Sequence, residues 1–85
     1  RVTFLYRGKP GDKVFLAGDF NDWKTDVKEL QDKNNDGTYA CICMLAPGKY
    51  LYKFFVNGHW ELDTNNPNVA PNEFGSHNSV REVQK

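Results

Sequence analysis

Alternation of apolar and polar residues dominates this chain and predicts short β-strands. In residues 38–45 one face would carry Tyr39, Cys41, Cys43 and Leu45, and the opposite face Ala40, Ile42 and Met44. Similar patterns predict strands at 2–6, 13–17, 50–56, 59–62 and 78–83, a short polar edge strand at 27–30, and a loop at 64–72. No window shows the apolar spacing of a helix. The pattern therefore predicts a small antiparallel β-sandwich.

The dipeptide Asn57-Gly58 predicts a two-residue type I′ hairpin, which fixes the pairing of the flanking strands. In this register Phe55 lies opposite Trp60, and cross-strand partners share a face. One face would carry Leu51, Lys53, Phe55, Trp60 and Leu62, and the other Tyr50, Tyr52, Phe54 and Val56. Because lysine is almost never buried without a partner, we expect the second set to face the core. His59 and Glu61 would then lie on the core side, so we expect the hairpin tip to extend beyond the second sheet.

Two tryptophans stand beside tight turns, Trp23 after Gly-Asp-Phe-Asn-Asp and Trp60 after Asn-Gly-His. An exposed Trp60 next to Lys53 is typical of a carbohydrate-binding surface, since an indole packs against the C–H face of a sugar while Lys and Asn side chains bind its hydroxyls. A purely structural interpretation is also open. Trp60 would then cover its hairpin neighbours, and Trp23 would close the end of the sandwich beneath Phe20.

Length and charge narrow the possible partners. The chain has 85 residues, which corresponds to one domain with a modest core. Lys plus Arg and Asp plus Glu both number 11, which argues against nucleic acid or an anionic membrane and favours a neutral polar ligand. No apolar run approaches the ~18 residues of a membrane span, and no signal peptide is visible. Since the chain begins at Arg1, we expect it to be excised from a larger protein.

The two cysteines, Cys41 and Cys43, point to the same face of a strand at the limit of disulfide geometry. We therefore predict free thiols that act as small core residues, which favours a reducing compartment. Asp32, Asn34 and Asp36 resemble the start of a calcium-binding loop. The twelfth position is Cys43 instead of Glu, however, so we interpret the segment as a polar turn.

The sequence predicts no catalytic site, no metal site and no cofactor. Only two histidines are present, His59 and His77, and neither is arranged with a nucleophile. His77 could touch a sugar, although a plain loop position is favoured. Glycoside hydrolysis needs two carboxylates across a cleft, for which so small a sandwich has little room.

Four sequence blocks occur in a familiar order and together span residues 2–83. They are Gly-Asp-Phe-Asn-Asp-Trp at 18–23, Tyr-Lys-Phe-Phe-Val-Asn-Gly-His-Trp at 52–60, Asp63 with Pro67, and Asn-Glu-Phe-Gly-Ser-His-Asn at 72–78. In this order and spacing the chain resembles the family 48 carbohydrate-binding modules. These include the glycogen-binding domain of AMP-activated protein kinase β subunits and the N-terminal modules of isoamylase-type enzymes. The resemblance implies an all-β, immunoglobulin-like antiparallel β-sandwich that binds α-1,4-linked glucans such as glycogen, starch and maltooligosaccharides.

The resemblance also implies which residues bind the glucan. Trp23 and Trp60 match the two stacking tryptophans, and Lys53 and Asn78 match the pair that binds hydroxyls. Phe74 stands where the family has a Leu that enters the ring of a curved glucan, and Ser76 stands where it often has Thr. Phe20 is then expected in the core, and Asn21 is expected to bond the local turn.

The expected function is non-catalytic glucan binding that tethers a linked or associated enzyme or kinase to polysaccharide, in the cytoplasm. The alternative is a protein-docking domain of a kinase subunit or amylolytic enzyme without strong sugar binding. A branching or debranching activity would belong to the parent chain. A kinase β subunit, a glucan phosphatase and an amylolytic enzyme all remain open as that parent.

Overall fold

Seven short strands form this protein, whose computed structural model describes residues 1–84. In chain order the strands are β1 (Val2–Arg7), β2 (Val14–Gly18), β3 (Thr38–Cys43), β4 (Gly48–Val56), β5 (His59–Glu61), β6 (Val69–Pro71) and β7 (His77–Val83). Residues 1–84 contain no helix, and hence none long and apolar enough to cross a membrane. The all-β prediction is confirmed.

The strands form two antiparallel sheets that make up a small sandwich. The small sheet pairs β1 with β3, and the large sheet has the order β2-β4-β7-β6. The nine-residue β4 organises the large sheet. One of its edges pairs with β2, while the other pairs with β7 along its first half and with β5 along its second half. The predicted antiparallel sandwich is thereby confirmed.

The core lies between the two sheets and is built mainly from one face each of β1, β2, β3 and β4. Its buried side chains are Val2, Phe4, Val14, Leu16, Leu30, Tyr39, Cys41, Tyr52, Phe54 and Val56. The rings of Phe4 and Tyr52 join the sheets edge to face, with centroids 4.9 Å apart. The alternation predicted for β3 is confirmed, since Tyr39 is buried while Ile42 on the opposite face is 43% exposed.

The Asn57-Gly58 hairpin has the predicted geometry. Positive φ angles of 51° at Asn57 and 84° at Gly58 are those of a type I′ turn. The register is confirmed, with Phe55 opposite Trp60. His59 and Glu61 are both exposed, as expected for a hairpin tip that extends past the small sheet.

The edge strand predicted at 27–30 is wrong. Only two isolated bridges occur there, from Glu29 to Phe15 and from Gln31 to Ala40. The segment pairs first with the large sheet and then with the small one, because it passes from one sheet to the other. The segment therefore pairs with neither sheet over enough residues for a strand to form.

Two other predicted boundaries also change. Residues 64–72 were expected as a loop, but they contain β6, which pairs with β7 at the edge of the large sheet. Pro71 is compatible with this position because an edge strand leaves one row of N–H groups unpaired. The strand predicted at 38–45 ends at Cys43.

The cysteine prediction is confirmed. Cys41 is buried, Cys43 is half-buried, and both thiols are free. Burial, followed by the neighbouring Cys43, raises the pKa of the Cys41 thiol to about 12. At neutral pH Cys41 is therefore a protonated core side chain and a poor nucleophile.

Candidate functional site

The candidate site lies on the side of the large sheet that faces away from the small sheet, which we call the outer face. Strand pairing places Phe15 opposite Phe55, and Ala17 opposite Lys53. Phe55 also lies opposite Trp60. Since cross-strand partners share a face, these five residues all lie on the outer face. Ala17 is fully buried there, so the accessible surface combines the aromatic rings with the Lys53 ammonium.

Trp60 is both packed and accessible. Its ring contacts Phe55 edge to face at a centroid distance of 5.0 Å, yet 46% of the residue is exposed. The ring of the half-buried Trp23 lies 6.5 Å from that of Trp60 at an interplanar angle of 66°. The two indoles therefore form an angled pair of apolar walls.

The turn after β2 carries Trp23 to this position. The Asn21 side chain accepts a hydrogen bond from Gly18 N–H at 3.0 Å and donates one to the Leu16 carbonyl at 3.0 Å. Trp23 N–H donates to the Gly18 carbonyl at 2.9 Å. Asp22 and Trp23 have φ angles of 58° and 57°, in the left-handed region that non-glycine residues seldom adopt. The prediction that Asn21 bonds the local turn is confirmed.

Phe20, rather than Trp23, joins the core from this turn. Its ring lies 6.0 Å from that of Phe4 and 6.0 Å from that of Tyr50. Phe20 is half-buried, so the expectation that it would be buried holds in part. The interpretation that Trp23 closes the sandwich end beneath Phe20 is not supported, because the ring of Trp23 contacts that of Trp60.

Polar groups adjoin the indoles on the same face. Lys53 Nζ donates to Ser76 Oγ in a long hydrogen bond of 3.5 Å. Tyr52 pairs with Ser79 on the core side. Asn78 precedes Ser79 in β7 as Lys53 follows Tyr52 in β4, so alternation places both on the outer side. Asn78 is only 9% exposed, which the sequence did not indicate, and its Oδ1 accepts a hydrogen bond from Asn72 at 3.3 Å.

Phe74 stands at the tip of the turn between β6 and β7 and is 85% exposed. The side chain of Asn72 closes this turn by accepting hydrogen bonds from the N–H groups of Phe74 and Ser76, both at 3.0 Å. We predicted no role for Asn72 from the sequence. Its position two residues before Phe74 and three before Gly75 is a recognisable turn signature.

Five of the six predicted site residues are therefore at or beside the outer face, and the sixth, Phe74, stands at the tip of the β6–β7 turn, two residues before Ser76. Trp23 contacts Trp60, and Lys53 contacts Ser76. Asn78 lies in β7, directly after the β6–β7 turn. A groove of about 1030 Å³ lies elsewhere, between β1 and the segment that leads into β6, and none of the six lines it. An open, angled aromatic face suits an extended polymer better than a small enclosed ligand, which would occupy a cavity.

Comparison with known proteins gives a family match over the whole chain. The family described as the glycogen recognition site of AMP-activated protein kinase matches residues 1–85. The chain is 33% identical over 85 residues to 5'-AMP-activated protein kinase subunit beta-2 of Homo sapiens, covering 100% of this chain and 30% of that protein. It is 35% identical over 75 residues to subunit beta-1 of Bos taurus, covering 88% of this chain and 26% of that protein. The chain thus spans less than a third of these relatives' length.

Proposed function

This chain belongs to the family of glycogen recognition sites of AMP-activated protein kinase, and from that premise we propose that its outer face binds α-1,4-linked glucans. Glycogen, starch and maltooligosaccharides are the expected ligands. The binding residues are Trp23, Lys53, Trp60, Phe74, Ser76 and Asn78. We propose that this role is non-catalytic.

The angle between the two indoles carries the proposal. Trp23 and Trp60 meet at 66° with centroids 6.5 Å apart. An α-1,4-linked glucan coils, so two walls set at an angle can pack against successive glucose rings along the curve. A flat glucan chain would be served by coplanar rings. Each indole buries apolar area against the C–H groups of a sugar at low entropic cost, because an aromatic side chain has few rotatable bonds.

The polar groups beside the indoles bind the sugar hydroxyls. Lys53 Nζ and Ser76 Oγ already contact each other, so a glucan that packs on Trp60 finds a cation and a hydroxyl at the edge of the aromatic surface. Few contacts on an open face give modest affinity. We expect dissociation constants between micromolar and millimolar, or about −8 to −4 kcal/mol.

We further propose that the module tethers a larger assembly to polysaccharide, with linked or associated kinase or enzyme domains as partners. The relatives are kinase subunits of which this chain covers about 30%. A cytoplasmic location is part of the same proposal, and the free thiols of Cys41 and Cys43 favour it.

A titration with maltoheptaose or β-cyclodextrin, followed by tryptophan fluorescence, tests the proposal. Trp23→Ala and Trp60→Ala should each weaken binding by roughly 1–3 kcal/mol, as expected for stacked aromatic residues at a binding site. Met44→Ala is the matched control, because Met44 is an 80% exposed apolar side chain that follows β3 of the small sheet. It should bind like the parent protein.

The outcomes separate the alternatives. If the parent protein does not respond to either sugar, glucan binding is refuted and the docking role becomes the better interpretation. If the parent responds and both tryptophan variants bind the sugar as tightly as the parent does, the glucan lies elsewhere and the residue assignment is refuted.

A further inference from the structure

The turn formed by residues 72–76 is held together by its backbone and by one side chain. Asn72 Oδ1 accepts hydrogen bonds from the N–H groups of Phe74 and Ser76, each at 3.0 Å. The backbone closes the same turn through a 3.0 Å bond from Asn72 N–H to the Ser76 carbonyl. Gly75 supplies the left-handed residue that the turn needs, with a φ of 78°. Asn72 therefore fixes the backbone of two predicted binding residues at once.

The position of Phe74 depends on this backbone more than on packing. With 85% of the residue exposed, its side chain has little protein surface to rest on. The region that the ring can reach is consequently set by the direction of its Cα–Cβ bond. A turn that loosens would let the ring sample many positions, and binding would then have to offset the lost freedom.

The other end of the Asn72 amide reaches Asn78. Since two N–H groups identify the oxygen of the Asn72 amide, its nitrogen must face Asn78, and Nδ2 donates to Asn78 Oδ1 at 3.3 Å. This contact in turn fixes the orientation of Asn78. Within residues 1–84 no buried polar side-chain atom lacks a partner, and no side-chain or backbone acceptor takes a hydrogen bond from Asn78 Nδ2. That nitrogen therefore reaches the surface.

We propose that Asn72 is a positioning residue of the glucan-binding face, which places Phe74 and Ser76 through its oxygen and orients Asn78 through its nitrogen. This role rests on the proposed function above. Asn78 presents an N–H donor beside the Lys53 ammonium, so this part of the face binds sugar oxygen atoms that accept hydrogen bonds.

Two substitutions separate the two ends of the amide. Asn72→Ala removes every side-chain bond. We expect the N–H signals of Phe74 and Ser76 to shift in an NMR spectrum, and maltoheptaose to bind about tenfold more weakly. Asn72→Asp keeps an oxygen for both N–H groups but has no N–H to give to Asn78. The turn signals should stay near their parent positions, while Asn78 turns its Nδ2 toward the new carboxylate. Affinity should then fall about threefold to tenfold, the change expected for one lost hydrogen bond.

Asp32→Ala is the matched control. Asp32 closes the turn before β3 in a similar way, by accepting hydrogen bonds from the N–H groups of Asp36 and Gly37 at 3.0 and 2.8 Å. Its loss should disturb that turn and leave maltoheptaose binding unchanged. If Asn72 acts through Asn78, the effects of substituting these two residues on maltoheptaose binding should not be additive. Once Asn78→Ala is in place, adding Asn72→Asp should weaken binding no further, a result that general destabilisation would not produce.

The results distinguish this role from the function on which it rests. Failure of the parent protein to bind maltoheptaose would refute the proposed function and this role with it. If the parent binds and Asn72→Ala binds equally well, this role alone is refuted. If Asn72→Asp binds like the parent, or weakens binding equally in the presence of Asn78→Ala, the proposed orientation of Asn78 is wrong.

Discussion

Replacing Asn21 with Ala should release the turn that presents Trp23 while leaving both sheets paired. The Asn21 side chain bonds Gly18 N–H and the Leu16 carbonyl, each at 3.0 Å, and both of these residues are buried in β2. The turn also holds Asp22 and Trp23 in the left-handed region, at φ angles of 58° and 57°. Such residues persist only where neighbouring contacts determine their conformation.

The expected loss of stability follows from these two bonds. A typical hydrogen bond contributes about 0.5–1.5 kcal/mol, and a buried partner left unpaired raises the cost, so Asn21→Ala should lower the free energy of unfolding by about 2–3 kcal/mol. For a domain of 60–100 residues each kcal/mol shifts the melting temperature by about 4–8 °C. Asn21→Asp keeps an acceptor for Gly18 N–H but sets a carboxylate oxygen against the Leu16 carbonyl oxygen, so it should also destabilise the fold.

Urea unfolding and a maltoheptaose titration of the same samples test both consequences. Affinity should fall towards that of Trp23→Ala, because the indole is no longer held against Trp60. Asn34→Ala is the control. Asn34 is exposed in the turn before β3 and makes no side-chain hydrogen bond within residues 1–84. An Asn21→Ala variant that unfolds within about 0.5 kcal/mol of the parent, the range of a neutral surface change, would contradict this role of Asn21. A variant that is destabilised but binds maltoheptaose with parent affinity would contradict it as well.

Three further predictions concern stability. Gly18→Ala would place a methyl group 2.6 Å from the Leu51 carbonyl oxygen, so it should destabilise the fold by roughly 1–3 kcal/mol in urea unfolding. Burial raises the pKa of Cys41 from 9.0 to about 12. The contribution of its protonated thiol to the free energy of unfolding is therefore complete below pH 9 and lost as pH rises towards 12. In Cys41→Ala the urea midpoint should fall less between pH 9 and pH 12 than it does in the parent protein. A hydrogen bond from Lys9 N–H lowers the pKa of Asp12, so its contribution should disappear as pH falls below about 4, and Asp12→Asn should remove that acid dependence.

The hairpin shows how much of the site could be predicted from the sequence. Asn57-Gly58 fixes the register, and the register places Phe55 opposite Trp60 with Lys53 on the same face. Each step uses only local rules of turn geometry and strand alternation. The core face of β4 followed in the same way, because Tyr52 and Phe54 are both buried.

Contacts between distant turns could not be predicted in this way. The approach of Trp23 to Trp60 joins two turns that are far apart in the chain, and no spacing rule contains their distance or angle. Asn78 is nearly buried and accepts a hydrogen bond from Asn72 of the β6–β7 turn, a contact that the strand pattern does not contain. The pattern predicts a strand at residues 27–30 that does not form. The backbone of this segment is divided between two sheets, which a periodic pattern cannot show.

The three aromatic residues of the proposed site are held by different means, and this difference bears on the affinity expected for glucan. Trp60 is fixed by strand pairing and by its contact with Phe55. Trp23 and Phe74 lie on turns, and in each case an asparagine amide bonds the backbone of that turn. Immobilising a free side chain on binding costs about 0.5–1.5 kcal/mol, an appreciable share of the modest affinity expected of an open face. Substitutions of Asn21 and Asn72 should therefore weaken glucan binding even where every group that contacts the sugar is retained.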